Sequence, residues 1–440
     1  GGLPLELPDD VFWTDSVSRP RRFELWRWRP EWRLQMRSPR LWNGLLFGLV
    51  SWLFVAVNLW LWLGPQERAN NGALNLFWAW WWPLILLGYP LVGRLWCSFC
   101  PFMVWGEIAQ GLAKRLGWQP RSWPRGEHDD WASPLLAIGF ALILLWEELA
   151  HLENTAWLSS CLLLVITAGA VLGSLVFEKR FWCRYLCPIG GMNGLFAKLS
   201  ILELRAHAGT CSGSCSSYAC FKGGPADGEG LATAGCPLGT HPAHLSDNRN
   251  CVLCLTCVQA CPHRSVQLSL RPPAADLRLP LSVPRGEPLL ILILFGALVL
   301  HWGRPALEGL PMAQQLLLAS IELALPALVA LGLRRWLGQE LLQQGLYGLL
   351  PLLLALLLAR HLPVGMGEAG QFLPVSLGAG WPSWSADQHV VAFCQSAAVL
   401  MGSLSSWWLL RRMLSNESHN LWLATGLTAS VGCLGRWLVA

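Results

Sequence analysis

"CVLCLTCVQACP" (Cys251–Pro262) places four cysteines within eleven residues. Its spacing, Cys-x2-Cys-x2-Cys-x3-Cys-Pro, is that of a bacterial [4Fe–4S] run, whose first three thiolates ligate one cluster while the fourth reaches across to another. A second set is therefore expected upstream. Cys211, Cys215 and Cys220 supply it, with Cys236-Pro237 as the distant ligand. The crossed reading assigns Cys251, Cys254, Cys257 and Cys236 to one cluster, and Cys211, Cys215, Cys220 and Cys261 to the other. Three thiolates on a tight loop can cap three corners of a cubane, and thiolate is the soft ligand iron prefers. Two four-thiolate zinc sites would use the same eight residues, but the Cys-Pro ending favours iron–sulfur. The flanking stretches "ILELRA" and "SVQLSL" alternate as the outer strands of a small ferredoxin-like fold would.

This run lies between long apolar segments. The 440-residue chain is 53% hydrophobic and 13% charged, with 28 Trp. A soluble domain carries roughly 25% charged residues. The apolar residues come in blocks of about 20, which is the length of a membrane span. Spans are expected at about 42–63, 76–95, 132–150, 157–177, 288–304, 315–333, 345–361, 390–410 and 420–438. The expected fold is mainly α, a polytopic transmembrane helical protein of about eight or nine spans with an inserted two-cluster ferredoxin domain. The chain begins Gly1-Gly2, as a fragment or a processed product would, and no secretory signal precedes the first span.

Lysine and arginine set the expected orientation. Arg19–Arg40, Lys114/Arg115/Arg121/Arg125, Lys179/Arg180, Arg334/Arg335 and Arg411/Arg412 all fall on one side. By the positive-inside rule that side, with the ferredoxin domain, is cytoplasmic. Disulfides are disfavoured there. The organisation read from this is a basic segment 1–41, a membrane domain 42–200, a ferredoxin-like domain 201–271, a Pro-rich linker 272–288 and C-terminal spans 289–440. The Arg/Trp mixture of 1–41 suits a membrane surface. RNA binding would use similar residues, but the adjoining span argues against a nucleic-acid partner.

An internal parallel repeat surrounds a third cysteine group. "GRLWCSFCP" and "EKRFWCRYLCP" each end a two-span hairpin, with Cys97 and Cys183 86 residues apart. Proline is favoured at the first position of a helix, so Cys100 and Cys187 are expected N-caps, with thiol pKa values lowered by the helix terminus. Cys97, Cys100, Cys183 and Cys187 would then form one metal or redox site near a pseudo-twofold axis, for a third cluster, copper or iron. The plainer alternative is that they pack the Trp-rich hairpin ends. Cys161, Cys394 and Cys433 read as packing residues. Glu147, Glu148, His151, His301, Glu322, His361 and His389 are ionisable groups in or near spans, each a functional hypothesis by default. His301, His361 and His389 would suit haem or quinone, although a helix-end histidine needs no such role.

With both motif sets placed, the chain resembles the membrane polyferredoxins of the NosR, NapH and CcoG kind, over about 42–272. The resemblance implies electron transfer between a cytoplasmic or quinone-level donor and an acceptor at or across the membrane. Its partners would be a ferredoxin, a flavoprotein, membrane oxidoreductase subunits or quinone, and its location a cytoplasmic (inner) or photosynthetic membrane. The alternatives are a metal-handling or assembly factor of the copper or iron reductase type, and a redox sensor. The first cysteine pair has two intervening residues where the family usually has three, and the spans after Pro288 lie outside the resemblance.

Overall fold

The computed structural model describes residues 22–38, 47–123, 128–278, 283–414 and 418–439. Residues 1–21 and 39–46, Arg125 and the middle of the Pro-rich linker (279–282) lie outside the described residues. So do the expected start of the first span and part of the basic segment.

The chain is mainly helical. Six described helices are long and apolar enough to cross a membrane: Asp129–Leu149, Ala156–Val176, Glu287–Leu307, Met312–Leu337, Leu350–Leu377 and Gln388–Met413. A seventh is counted if the bent pair Gly72–Val92 and Leu95–Arg115 is one span. Phe47–Leu63 is apolar but shorter, and begins at the edge of the described residues. Ser418–Leu438 has 21 residues but is not among the spans. Met312–Leu337 leaves Leu316, Leu317, Leu328, Val329 and Leu331 exposed, which in water would be an aggregation surface and in lipid is the expected face. The protein is a multi-pass membrane protein.

The chain divides into two compact units. One comprises Gly1–Phe54, Tyr89–Gly126 and Ile166–Ser282, and the other Val55–Gly88, Glu127–Val165 and Val283–Ala440. The hairpins of 42–200 are thus shared between units: their cysteine-bearing ends cluster with the ferredoxin-like segment.

In the first unit a three-stranded antiparallel sheet has the order β1-β3-β2: β1 Phe23–Glu24, β2 Leu202–Ala206 and β3 Val266–Leu270. The two expected strands pair directly, Leu204 opposite Leu268 and Ala206 opposite Val266. Strand alternation sends these four to one face. There they pack with Trp26, Leu253, Val258 and the cysteines Cys220, Cys257 and Cys261. The opposite face holds Glu203 and Arg205 in a buried ionic network. Arg271 pairs with Glu203 at 3.1 Å and with Asp276. Asn248 accepts from Arg205 Nη1 at 2.9 Å and donates to Ser200 Oγ at 2.7 Å.

The described part of the basic segment packs on the sheet. Phe23 pairs opposite Leu270, Trp26 is buried in the cysteine core, and Arg22 forms an ion pair with the fully buried Glu203. Tryptophans that resembled an interfacial belt are divided between core and surface: Trp26 is buried, while Trp28 and Trp32 are exposed.

Candidate iron–sulfur site

The local backbone explains how the two ferredoxin motifs fold. Leu253 and Leu255 both hold left-handed φ values (55° and 59°), which curl the chain around Cys254 and start the short helix Thr256–Ala260. Tyr218 (φ 50°) does the same before Ala219–Lys222 and Cys220. A hydroxyl also recurs two residues after a cysteine: Thr256 Oγ1 lies 3.4 Å from Cys254 Sγ, and Ser217 Oγ lies 3.9 Å from Cys215 Sγ. Left-handed non-glycine residues cost roughly 1–3 kcal/mol each and persist where surroundings over-determine them.

The structure sorts the eight thiols by proximity. Cys236, Cys251, Cys254 and Cys257 line one cavity, closed by Leu204, Leu238 and Leu253. Cys220 feels Cys261, Cys211 and Cys215, and also Cys236; Cys211 feels Cys261 and Cys215, and Cys257 feels Cys220 as well as Cys254, Cys251 and Cys236, so the two sets adjoin. Cys211 Sγ lies 3.3 Å from Ser265 Oγ, and Cys220 Sγ lies 3.7 Å from His241 Nε2. Burial, then the neighbouring thiols, pushes Cys220 up to about 12, and burial pushes Cys251 up to about 11. Four bare thiolates in one apolar cavity would repel one another, and a bound cation would reverse that sign; among the described residues no three such side chains are close enough together to hold a single metal ion.

The membrane-end cysteines are built by the internal repeat. Gly93 and Lys179 occupy equivalent positions, and both have φ of 58°. The left-handed residue turns the chain sharply; at the first motif the flanking helices meet at 99°. Gly93 serves because the turn is left-handed and a Cβ there would sit 3.1 Å from Ser200 Oγ. Arg94 and Arg180 follow these turns, and each is only 3% exposed. Each crosses to the other motif: Arg94 Nη2 donates to Cys183 O at 3.5 Å, and Arg180 Nη1 donates to Cys97 O at 2.8 Å. Asn193 Nδ2 donates to Cys97 Sγ at 3.0 Å. All four cysteines are buried, and Cys183 feels Cys187, Cys100 and Cys97. Cys97, Cys100, Cys183 and Cys187 thus lie within electrostatic reach of one another.

Cys100 and Cys187 do cap the helices Pro101–Arg115 and Pro188–Ala197. The expected lowering of their thiol pKa fails at Cys187. Gly190 N–H donates to its sulfur at 3.3 Å, yet burial outweighs the helix terminus and pushes the thiol up to about 11. Desolvation of a buried thiolate exceeds the stabilisation from one helix end.

The membrane group is tied to the Cys236/Cys251 loops. Arg94 Nη1 donates to Arg249 O at 2.5 Å, and Arg180 N donates to Pro237 O at 2.9 Å. Arg184 Nη1 donates to Leu238 O at 2.7 Å. The sequence shows Arg94 and Arg180 at equivalent positions of the repeat, each three residues before its first cysteine, but not the partners their side chains reach. Arg33 was missed too: it is buried beside Cys261.

His301 and His361 both reach the Glu148/Arg360 cluster, and His389 is not part of it. His361 Nε2 accepts the Trp82 indole hydrogen at 2.8 Å, His301 Nδ1 lies 3.1 Å from Glu148, and His389 starts the helix Gln388–Met413, its backbone N–H donating to Asp387. Haem ligation by His361 through Nε2 would have to displace that indole.

The 4Fe-4S binding domain model Fer4_5 matches residues 74–119 and 161–204. These ranges contain the four membrane-end cysteines and Cys161, and none of the eight cysteines between Cys211 and Cys261. The chain is 29% identical to Protein NirI of Paracoccus denitrificans over 191 residues, 40% of this chain and 26% of NirI. It is 32% identical over 115 residues to "Putative electron transport protein YccM" of Escherichia coli, 26% of this chain and 28% of YccM. It is 30% identical over 149 residues to the Methylamine utilization ferredoxin-type protein MauN of Paracoccus denitrificans, 31% of this chain and 50% of MauN. The chain therefore spans about a quarter to a half of these relatives. No solved structure matches the chain. The chain carries a 4Fe-4S binding domain and is a relative of ferredoxin-type electron-transport proteins.

Proposed function

We propose that the protein is a membrane iron–sulfur electron-transfer component with two [4Fe–4S] clusters held in the crossed pattern. Cys251, Cys254, Cys257 and Cys236 hold one, and Cys211, Cys215, Cys220 and Cys261 hold the other. The observation that carries this reading is the cavity lined by Cys236 together with the three cysteines of the later run. Bound clusters supply one-electron carriers, and the protein sets their position and potential. The chain's own residues surround them with apolar side chains, hydroxyls beside Cys254, Cys215 and Cys211, and buried arginines beside Cys251 and Cys261. A nearby cation favours the more negative, reduced state of a thiolate centre.

A third four-thiolate centre at Cys97, Cys100, Cys183 and Cys187 is part of the proposal. The reciprocal Arg94 and Arg180 contacts support it, as does the Fer4_5 match over both motifs. Arg180 lies within electrostatic reach of both Cys183 and Cys254, which supports a path between the membrane centre and the Cys236/Cys251 set. Electrons pass between a cytoplasmic or quinone-level donor and an acceptor at or across a cytoplasmic (inner) or photosynthetic membrane, with the ferredoxin segment on the cytoplasmic side.

The test is anaerobic purification of the full chain, with iron and sulfide counted and the reduced protein examined by EPR. About eight iron per chain is expected for the soluble pair and about twelve if the third centre is a cubane. Zinc in place of iron would overturn the reading. Copper bound at the membrane cysteines, with iron only in the soluble pair, would replace the third cluster by a metal-handling site.

A further inference from the structure

The C-terminal helices contain a buried charge cluster that the electron-transfer reading does not use. Glu147 and Glu148 end the helix Asp129–Leu149. His301 and Arg304 come from Glu287–Leu307, and Arg360 and His361 from Leu350–Glu368. His151 and Glu153 come from the turn after Leu149. Arg360 Nη2 donates to Glu147 at 3.0 Å and also to Glu148. Arg304 Nη1 donates to Glu148 at 3.3 Å and to Glu153 at 2.8 Å, and Arg304 also meets His151. Arg68 and Glu368 sit beside the cluster as a neutral pair, Arg68 donating to Glu153 O at 2.8 Å.

The charges do not balance. Three carboxylates, Glu147, Glu148 and Glu153, face two guanidiniums, Arg304 and Arg360. Glu148 and Arg360 are nearly inaccessible, and the cluster joins helices of membrane-spanning length. An uncompensated charge in that setting costs several kcal/mol, which one bound proton removes. The geometry also provides an acceptor and an entrance. His301 Nδ1 faces Glu148 Oε1 at 3.1 Å, and its side chain is 33% exposed. With an Nδ1 hydrogen directed at Glu148, Nε2 would be the ring nitrogen left free to accept. His361 is excluded from this role, because its Nε2 already accepts from Trp82. A further carboxyl, Glu322 on Met312–Leu337, abuts Gly303, the residue before Arg304, and its buried Oε2 has no hydrogen-bond partner among the described residues. A carboxylate so placed is also relieved by a proton.

We infer that this cluster is a proton-exchange site, which binds and releases one proton through His301 to and from the aqueous phase, the proton being shared between His301 and the Glu147/Glu148 carboxyls. Uptake adds one proton from water to His301 Nε2 or to a carboxyl oxygen; release returns it to water, and no electron moves. The site is independent of the metal ligands, so its success or failure is separate from that of the cluster assignment.

The test is an infrared titration of the full-length protein in lipid nanodiscs, in water and in deuterium oxide. The wild type should show one buried carboxyl or imidazolium signal titrating between about pH 5 and pH 9, with an isotope shift. Glu147→Gln leaves two carboxylates against two guanidiniums. It should abolish that signal while leaving the melting temperature unchanged or raised. Should that variant not fold, His301→Gln must remove the signal or move its midpoint by at least one pH unit. Absence of any titrating group in the wild type would overturn the inference. So would an unchanged signal in both folded variants, or a signal that follows sodium concentration and not pH.

Discussion

Arg94 and Arg180 stand at equivalent positions of the internal repeat, and each guanidinium reaches the carbonyl of the other repeat's first cysteine. Such reciprocity is what a pseudo-twofold axis between the two motifs requires. It means that neither cysteine pair is built by its own hairpin alone.

Shared construction predicts shared loss. Cys97→Ser and Cys187→Ser should give the same fall in metal content and the same block in electron transfer, and the double variant should be no worse than either. Groups acting through one site are non-additive in this way. Additive losses in metal count and rate would show two independent pairs.

Cys261 tests the crossing. It lies within electrostatic reach of Cys211 and Cys220, while its sequence neighbours are proposed as ligands of the other cluster. Cys261→Ser should remove one EPR-active cluster, and Cys211→Ser should remove the same one. Loss instead of the cluster that Cys254→Ser removes would mean each run is self-contained.

Glu203 has no exposed surface and is the common partner of Arg22 and Arg271. Glu203→Ala removes the buried carboxylate that Arg22 and Arg271 share and leaves Asp276 as the remaining partner of Arg271, at a cost of about 3–5 kcal/mol. Heating the anaerobic protein while following its visible absorbance should show a midpoint lower by roughly ten degrees or more. A midpoint within two degrees or so of wild type would show that the network is not needed for stability.

Acid should release the first strand. The His207 side chain, 3.2 Å from Glu24, lowers the Glu24 pKa, chiefly by hydrogen bonding. A carboxyl with a depressed folded pKa stabilises above its unfolded value, near about 4.3, and that stability is lost as pH falls through the lower folded value. Hydrogen-exchange protection of residues 23–28, corrected for intrinsic rates, should fall below about pH 4 before that of 202–206. In Glu24→Gln, protection of 23–28 should be lower at neutral pH and lose this acid step.

Orientation is open to a direct check. The one-sided arginine and lysine clusters imply that a reporter fused after Leu270 is active only as a cytoplasmic reporter. Activity confined to a periplasmic reporter at that point would reverse the arrangement.

Local chemistry determined much of this protein in the sequence itself. Apolar blocks too long and too uncharged for a soluble core made it a multi-pass membrane protein. Cysteine spacing named the ligand candidates, because three thiols on one tight loop need only short-range geometry. Alternation in "ILELRA" and "SVQLSL" marked two strands. What the tertiary structure decided depends on residues far apart in the chain. Only folding shows that Phe23–Glu24 adds a strand beside Val266–Leu270, since a two-residue strand has no periodicity to read. Only folding places Arg94 and Arg180 against opposite cysteines, or gathers Glu147, Glu148, Arg304 and Arg360 into one buried network. The Cys187 thiol shows the reason. The helix terminus that should lower its pKa is written in the adjacent proline, but the burial that raises it is contributed by the surrounding fold.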